Sequence, residues 1–443
     1  MTRQSKIALA ALLATLWTPF APAATLDLPR ASFLGVQAAP VSDEVRARLR
    51  IGSAEGVLVA GVVAGGSAEA AGLREDDLLV AVDNQPVTDP GQLVARISPH
   101  RAGDRVRIRW LRAGETRDVE VVMKPRPYES APGTRTEYGA IAVGDSLRRT
   151  IVTGPVDDAR HPAVLYMTGI GCFSQESLAA ESSESQLLHG LARAGFLTMR
   201  VEKSGVGDSQ GLPCPSPQVD LKAETAAYVA GLKALKSSPR VDPNRVFILG
   251  LSIGGVHAPL IAQQERLRGV VVINTLAKPF IEYLIETRRR QGQLAGLGFD
   301  EIDRRQRVGE WCNHAMLVEG KRPQDILAAR PECKESIQYA APYTYMQQWA
   351  ALDLSSEWKR VEAPVLVVQG ETDYVATVAD APLLRDVINS FHPGNATLAM
   401  IPAMDHFLTQ APSMRKSMEE PSGVFEPRVL QAVQDWLTKQ AAG

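Results

Sequence analysis

Cysteine is scarce in this 443-residue chain: there are four, and no two form a CxxC pair. Zinc ribbons and thioredoxin-like redox motifs need that spacing, so no metal site is expected. An excess of one charge is also missing, since 48 lysines and arginines face 50 aspartates and glutamates. That balance offers nucleic acid or an anionic membrane no long-range attraction. Beyond residue 17 no apolar run is long enough to cross a bilayer as a helix. Internal repeats and low-complexity tracts are lacking too. What is present is ordinary globular composition, 45% hydrophobic and 22% charged, with material for two or three domains.

The first residues follow a different pattern. Arg3 and Lys6 precede an apolar stretch, residues 7–17, and then the small residues APAA at 21–24. This is the pattern of a signal peptide cleaved after Ala23, so residues 1–23 are expected to be removed and the protein to be periplasmic or secreted. The rival is an uncleaved anchor. In an oxidising compartment the even set Cys172, Cys214, Cys312 and Cys333 is expected to form two disulfides, with three connectivities open.

Two compositional halves meet at residues 124–133, where three prolines and a glycine mark a linker, taken as 125–136. Before it, short β-type runs broken by glycines predict a small β-rich domain. The runs include 33–37, 56–63, 78–82, 106–111 and 119–123, with a short helix over 92–97. The segments FLGV (33–36), GGSAEAAGL (65–73), DDLLVAVD (76–83) and AGDRV (102–106) resemble, in order, a PDZ domain of the bacterial HtrA-protease type over residues 32–124. The resemblance implies a groove bordered by Phe33, Leu34, Gly35 and Val36. There an extended peptide or protein C-terminus would add a strand and lodge its carboxylate on backbone N–H groups. A PDZ-shaped scaffold that only packs on the second domain is the alternative.

After the joint, buried-strand runs at 163–167, 197–201, 246–249, 269–273, 364–369 and 397–401 alternate with helical stretches such as 220–235 and 428–439. That alternation predicts a mostly parallel sheet flanked by helices. A helical, arginine-rich insertion over 278–357 is expected to cap one edge.

The motif GLSIG at 250–254 matches G-x-S-x-G between a strand run and an apolar helical stretch. This is the setting of a nucleophile elbow, with Ser252 exposed on a sharp turn. A serine hydroxyl needs a base, and the base an orienting acid. In the order serine, acid, histidine, Asp373 follows the strand run 364–369, and His406 follows 397–401. Asp380 and Asp405 are rival acids, Asp405 the weaker because adjacent side chains point apart. His257, within the elbow helix, either lines the pocket or packs. His314 falls in the cap and His392 in a turn, while His100, His161 and His189 precede the elbow. The oxyanion donors are expected to be the backbone N–H of Ile253 and that of Ile170 or Gly171, in the glycine-containing loop after the first strand. A phosphate-cradling role for this loop is disfavoured, because no GK[ST] follows.

The loop EKSGVGDSQG (202–211) resembles one common in α/β hydrolases, and the likeness to that fold runs over residues 137–440. It is nearest to the dienelactone-hydrolase-like, prolyl-oligopeptidase-like and serine-aminopeptidase-like groups, since the oxyanion loop lacks the HGGG of lipase-like esterases. The resemblance places Cys172 and Cys214 on adjacent loops and Cys312 and Cys333 in the cap, which favours those two pairings. It implies acyl transfer to water with no cofactor. A carboxylic ester is the preferred substrate and a peptide the second. The cap run at 288–290, with Arg304 and Arg305, is either an acidic-substrate attractor or a solvated helix face. A function from another class is a PDZ adaptor on a catalytically idle scaffold.

Overall fold

The computed structural model describes residues 28–176, 181–420 and 423–443. The expected signal peptide lies outside the described residues.

The N-terminal unit is an antiparallel sheet. Its strands are β2 (Val36–Ala39), β3 (Val57–Val62), β4 (Leu78–Val82), β6 (Arg105–Arg112) and β7 (Glu115–Val122), in the order β2-β3-β4-β6-β7. The short β5 (Gln85–Pro86) pairs with β4. β6 shows why the sequence forms a half-buried strand: Val106, Ile108 and Trp110 are buried, while Arg105 and Arg107 face water. These arginines and Arg109 then pair with Glu120 and Asp118 across the ladder on β7.

The single run expected at 33–37 is in fact two strands. β1 (Ser32–Phe33) pairs with β8 (Lys124–Pro125), closing the two ends of the unit on each other, and β2 starts afresh on β3. The break falls at Gly35, where φ is +81° and a Cβ would lie 3.1 Å from the Cα of Gly66.

The second unit is built on eight strands. After β9 (Arg135–Val143) and β10 (Ser146–Gly154) come β11 (His161–Met167), β12 (Leu197–Val201) and β13 (Val241–Leu251). β14 (Gly269–Ile273), β15 (Val365–Gly370) and β16 (Ala396–Ile401) complete it. The order is β16-β15-β14-β13-β11-β12-β10-β9. β10 runs antiparallel to both neighbours, and every other pairing is parallel. This is the α/β-hydrolase architecture. The hairpin β9–β10 corresponds to none of the apolar strand runs of the sequence.

Successive residues of the central strands feed opposite cores. Ala163, Leu165 and Met167 of β11 join one layer; Val164 and Tyr166 join the other. Burial on both faces explains the uninterrupted apolar runs. The helix Leu221–Ser237, capped by the Asp220 side chain, covers the first layer, and Pro427–Ala442 covers the second. The segment between β14 and β15 forms the cap. It holds helices Phe280–Leu294, Phe299–Asn313 and Tyr343–Ala350, and a Cys312–Cys333 disulfide crosses it.

The proline-rich joint is not a free tether. Glu129 within it is buried against Arg200 of β12, with a 2.8 Å hydrogen bond from Nη1 to Oε2. Arg30, just ahead of β1, bridges Glu176 at 2.6 Å and Asp208 at 2.5 Å in the second unit. Arg126 also pairs with Glu176. Each of these four pairs joins residues 50 or more positions apart, too far in sequence to be read as partners.

Candidate active site

β13 ends in a turn at Ser252, whose φ is +55°, a sparsely populated region for a residue with a Cβ. The flanking glycines are required by close approach. A Cβ on Gly250 would lie 2.4 Å from the carbonyl carbon of Gly254, and one on Gly254 would lie 2.2 Å from the Met167 oxygen. The helix Gly254–Ala262 then leaves directly from the turn, so the serine stands at the C-terminal edge of the sheet.

The ends of β15 and β16 bring two more side chains to it. His406 Nε2 is 3.1 Å from Ser252 Oγ, and its Nδ1 is 2.8 Å from Asp373 Oδ2. Asp373 is fully buried. Its Oδ1 accepts the N–H groups of Val375 at 2.7 Å and Ala376 at 2.8 Å, which fixes the carboxylate while Oδ2 faces the imidazole. Asn274, at the end of β14, ties both turns together. Its side chain donates to the carbonyls of Asp405 and His406 and accepts the N–H of Gly370. No sequence motif marks Asn274; only its position at a strand end and its φ of +50° single it out.

The rival groups are engaged elsewhere. Asp405 accepts from the N–H of Phe407 and Thr409 and from the hydroxyls of Thr409 and Ser417. Asp380 accepts the Ala277 N–H and sits 3.7 Å from Lys278, and burial raises its pKa. His257 packs: its Nδ1 lies 2.8 Å from Thr225 Oγ1, and its Nε2 lies 2.8 Å from the Tyr345 hydroxyl and 3.3 Å from Glu224. His314 pairs with Glu319 in the cap, and His161 with Asp157.

A cleft of about 750 Å³ opens over Ser252 and His406. Gly169, Ile170, Phe173, Glu184, Leu251 and Phe407 are among its walls. Burial pushes the Glu184 carboxyl above its ordinary value. Ile170 and Gly171 lie on the loop after β11, and Ile253 follows the serine. Among the described residues no protein acceptor takes the backbone N–H of Ile253, Ile170 or Gly171. The Cys172–Cys214 disulfide ties that loop to the one after β12. A separate cavity of about 480 Å³, lined by Arg148, Lys203, Glu224 and Tyr228 among others, includes neither Ser252 nor His406.

The four PDZ residues are not part of this cleft. Leu34 is buried and its carbonyl accepts the Ala68 N–H, while the Phe33 carbonyl accepts the Ser67 hydroxyl. Gly35 accepts from Val63, and Val36 opens β2, an edge strand of its sheet. The cap arginines are largely spoken for: Arg288 by the Ser336 carbonyl, Arg289 by Asp303, Arg290 by Thr377, and Arg304 and Arg305 by Glu301. Arg289, Arg304 and Arg305 thus lie on a solvated face, while Arg288 and Arg290 are half-buried and tie the cap helix to neighbouring loops.

Comparison with known proteins places both units. A PDZ-domain profile matches residues 32–123, and a profile of the serine aminopeptidase S33 family matches residues 181–412. Esterase EstD of Thermotoga maritima is 23% identical over 290 residues, which are 65% of this chain and 65% of that protein. A probable periplasmic DegP-like serine endoprotease of Rhizobium meliloti is 32% identical over 105 residues, 23% of this chain and 21% of its own length. This chain thus spans less than two thirds of either relative. Est1E of Butyrivibrio proteoclasticus, solved with ferulic acid bound, is 15% identical and covers 69% of this chain and 99% of its own, with a TM-score of 0.46. The profile over residues 181–412 takes in more than half of the 443 residues, and this chain therefore belongs to the serine aminopeptidase S33 family of α/β hydrolases, carrying a PDZ domain ahead of it.

Proposed function

We propose that the protein is an exported serine hydrolase that cleaves carboxylic esters through an acyl-enzyme on Ser252. The observation that carries this is the line from Ser252 Oγ to His406 Nε2 at 3.1 Å and from His406 Nδ1 to Asp373 at 2.8 Å, set at a strained strand-to-helix turn. His406 takes the serine proton as Oγ attacks the carbonyl carbon, then gives it to the leaving alkoxide. Asp373 holds the imidazole in the required tautomer and stabilises its charged form. The N–H groups of Ile253 and of Ile170 or Gly171 receive the oxyanion. Water, deprotonated by His406, then releases the acid and restores the serine. No residue in this scheme calls for a metal or an organic cofactor.

The esterase likeness over 65% of the chain supports the ester reading. The two disulfides and the periplasmic DegP-like relatives of the PDZ region support export. We assign the PDZ unit, over 32–124, to recruiting an extended peptide or protein C-terminus along β2, whose outer edge lies at the border of its sheet. The same unit, with a family named for aminopeptidases, favours a second reading in which the substrate is a peptide.

Fluorophosphonate labelling of the full chain tests both, beside Ser252→Ala and His406→Ala and with short-chain p-nitrophenyl esters and peptide amides as substrates. The ester reading expects labelling and ester turnover in the wild type, and a loss of about 10⁴-fold or more in either variant. Labelling with amide turnover alone favours the peptidase. A folded wild type that neither labels nor turns over substrate leaves the PDZ adaptor as the better account.

A further inference from the structure

Gly169 and Ile170 share one peptide unit beside the nucleophile. A Cβ on Gly169 would lie 3.8 Å from Ser252 Cβ, and both residues line the cleft. The peptide is trans, as are all those among the described residues, so its C=O and N–H point in opposite directions. The carbonyl end is held from outside the cleft. Lys203 Nζ donates to the Gly169 oxygen at 3.1 Å, and Lys203 lines the cavities behind the loop rather than the cleft itself.

Lys203 is in turn fixed by a buried set of groups. Its ammonium is 3.4 Å from Glu224 Oε1, on the helix Leu221–Ser237. Glu224 also meets His257 at 3.3 Å and the Tyr228 hydroxyl at 3.4 Å. His257 rides on the helix that begins at the elbow. One network therefore spans the loop after β12, the covering helix and the nucleophile helix. Its charged end grips the carbonyl of a peptide unit that lines the cleft.

We propose that Lys203 is a positioning residue for the oxyanion site. It orients and polarises the Gly169–Ile170 peptide, so that the Ile170 N–H is aimed at the developing alkoxide on the substrate carbonyl. This rests on the serine-hydrolase reading above, and it selects Ile170 over Gly171 as the second donor. A charge-assisted hydrogen bond to a peptide oxygen strengthens the N–H of the same unit as a donor. The gain appears only as the oxyanion forms, so it belongs to kcat rather than to substrate binding.

Removing Lys203 alone strands the buried Glu224, so the decisive variant is Lys203→Met/Glu224→Gln, with Lys203→Arg as the charge-conserving control. Each full-length protein is assayed for p-nitrophenyl ester kcat and KM, for fluorophosphonate labelling rate, for inhibition by an alkyl trifluoromethyl ketone that forms a tetrahedral oxyanion adduct, and for thermal unfolding. In the folded double variant kcat and labelling rate are expected to fall about 10- to 100-fold, and the ketone Ki to rise by a similar factor. KM is expected to stay within about threefold. Lys203→Arg is expected to retain most of the wild-type rate. A folded double variant with wild-type kcat and ketone affinity overturns the inference. So does a fall in kcat that leaves ketone affinity untouched, because the loss then lies outside the oxyanion site. Undiminished turnover in Ser252→Ala would instead sink the serine-hydrolase reading, and this inference with it.

Discussion

The two units of this chain differ in how deeply their most prominent ion pairs are buried. On the PDZ sheet the ladder pairs between β6 and β7 are outside: Arg107 and Arg109 meet Asp118 with more than half of the Arg107 side chain in water, and Arg112 with the buried Asp77 is the exception. In the hydrolase unit exposed pairs such as Arg304–Glu301 occur too, but those near the joint and the elbow are inside. Arg200 and Glu129 are both shut off from solvent, and Lys203 and Glu224 nearly so. An exposed pair is screened and costs side-chain entropy to hold, so it adds little stability. A buried pair makes each partner essential to the other, because a lone charge left in the interior has no water to stabilise it. The PDZ sheet therefore gains little from its ladder charges, whereas the hydrolase unit and the joint leading into it depend on long-range buried partners in addition to their apolar layers.

The sharpest way to break the contrast is Arg200→Met, which leaves Glu129 buried without its main counter-charge. The expected loss is about 3–5 kcal/mol, read from the urea midpoint of the hydrolase unit. A loss under about 1 kcal/mol would mean that the joint reorganises and lets water reach Glu129.

Acid sharpens it next. Burial alone would raise the Glu224 pKa, but Lys203 and His257 outweigh that and hold it at about 2, against an ordinary 4.5. A folded value below the unfolded one contributes stability fully present above about pH 4.5, and lost as pH falls toward 2. The span corresponds to about 3 kcal/mol. Glu224→Gln should flatten that part of the stability profile, measured by chemical denaturation from pH 5 to pH 2. An unchanged slope would remove Glu224 from the account.

The smallest effect is expected on the PDZ surface. Arg107→Ala should leave the melting temperature within about 2 °C of wild type. A larger fall would show that the exposed ladder charges matter after all.

The same division governs how much of the molecule is legible in the sequence. β11 to β16 and the PDZ strands announce themselves through period-two or continuous apolar runs, because their burial depends on near neighbours in the chain. β9 and β10 carry no such signal: β9 is the edge strand, and β10 beside it holds buried polar residues such as Arg148 and Arg149. Ser252, Asp373 and His406 were readable because each follows a strand in a known order. Asn274, Lys203 and Glu224 were not, since a lone asparagine, lysine or glutamate carries no spacing signal.

What the sequence determined by itself is local: strand and helix periodicity, the glycines that let a serine stand on a sharp turn, and the order of serine, acid and histidine. Tertiary structure alone decided which charges met. Arg30 finds Glu176 across 146 residues, Arg200 finds Glu129 across 71, and Lys203 reaches the carbonyl of Gly169 from the next strand over. The physical reason is that an apolar pattern is satisfied by any core, whereas a buried charge is satisfied only by one particular partner, and the chain brings that partner near only after the sheet has closed.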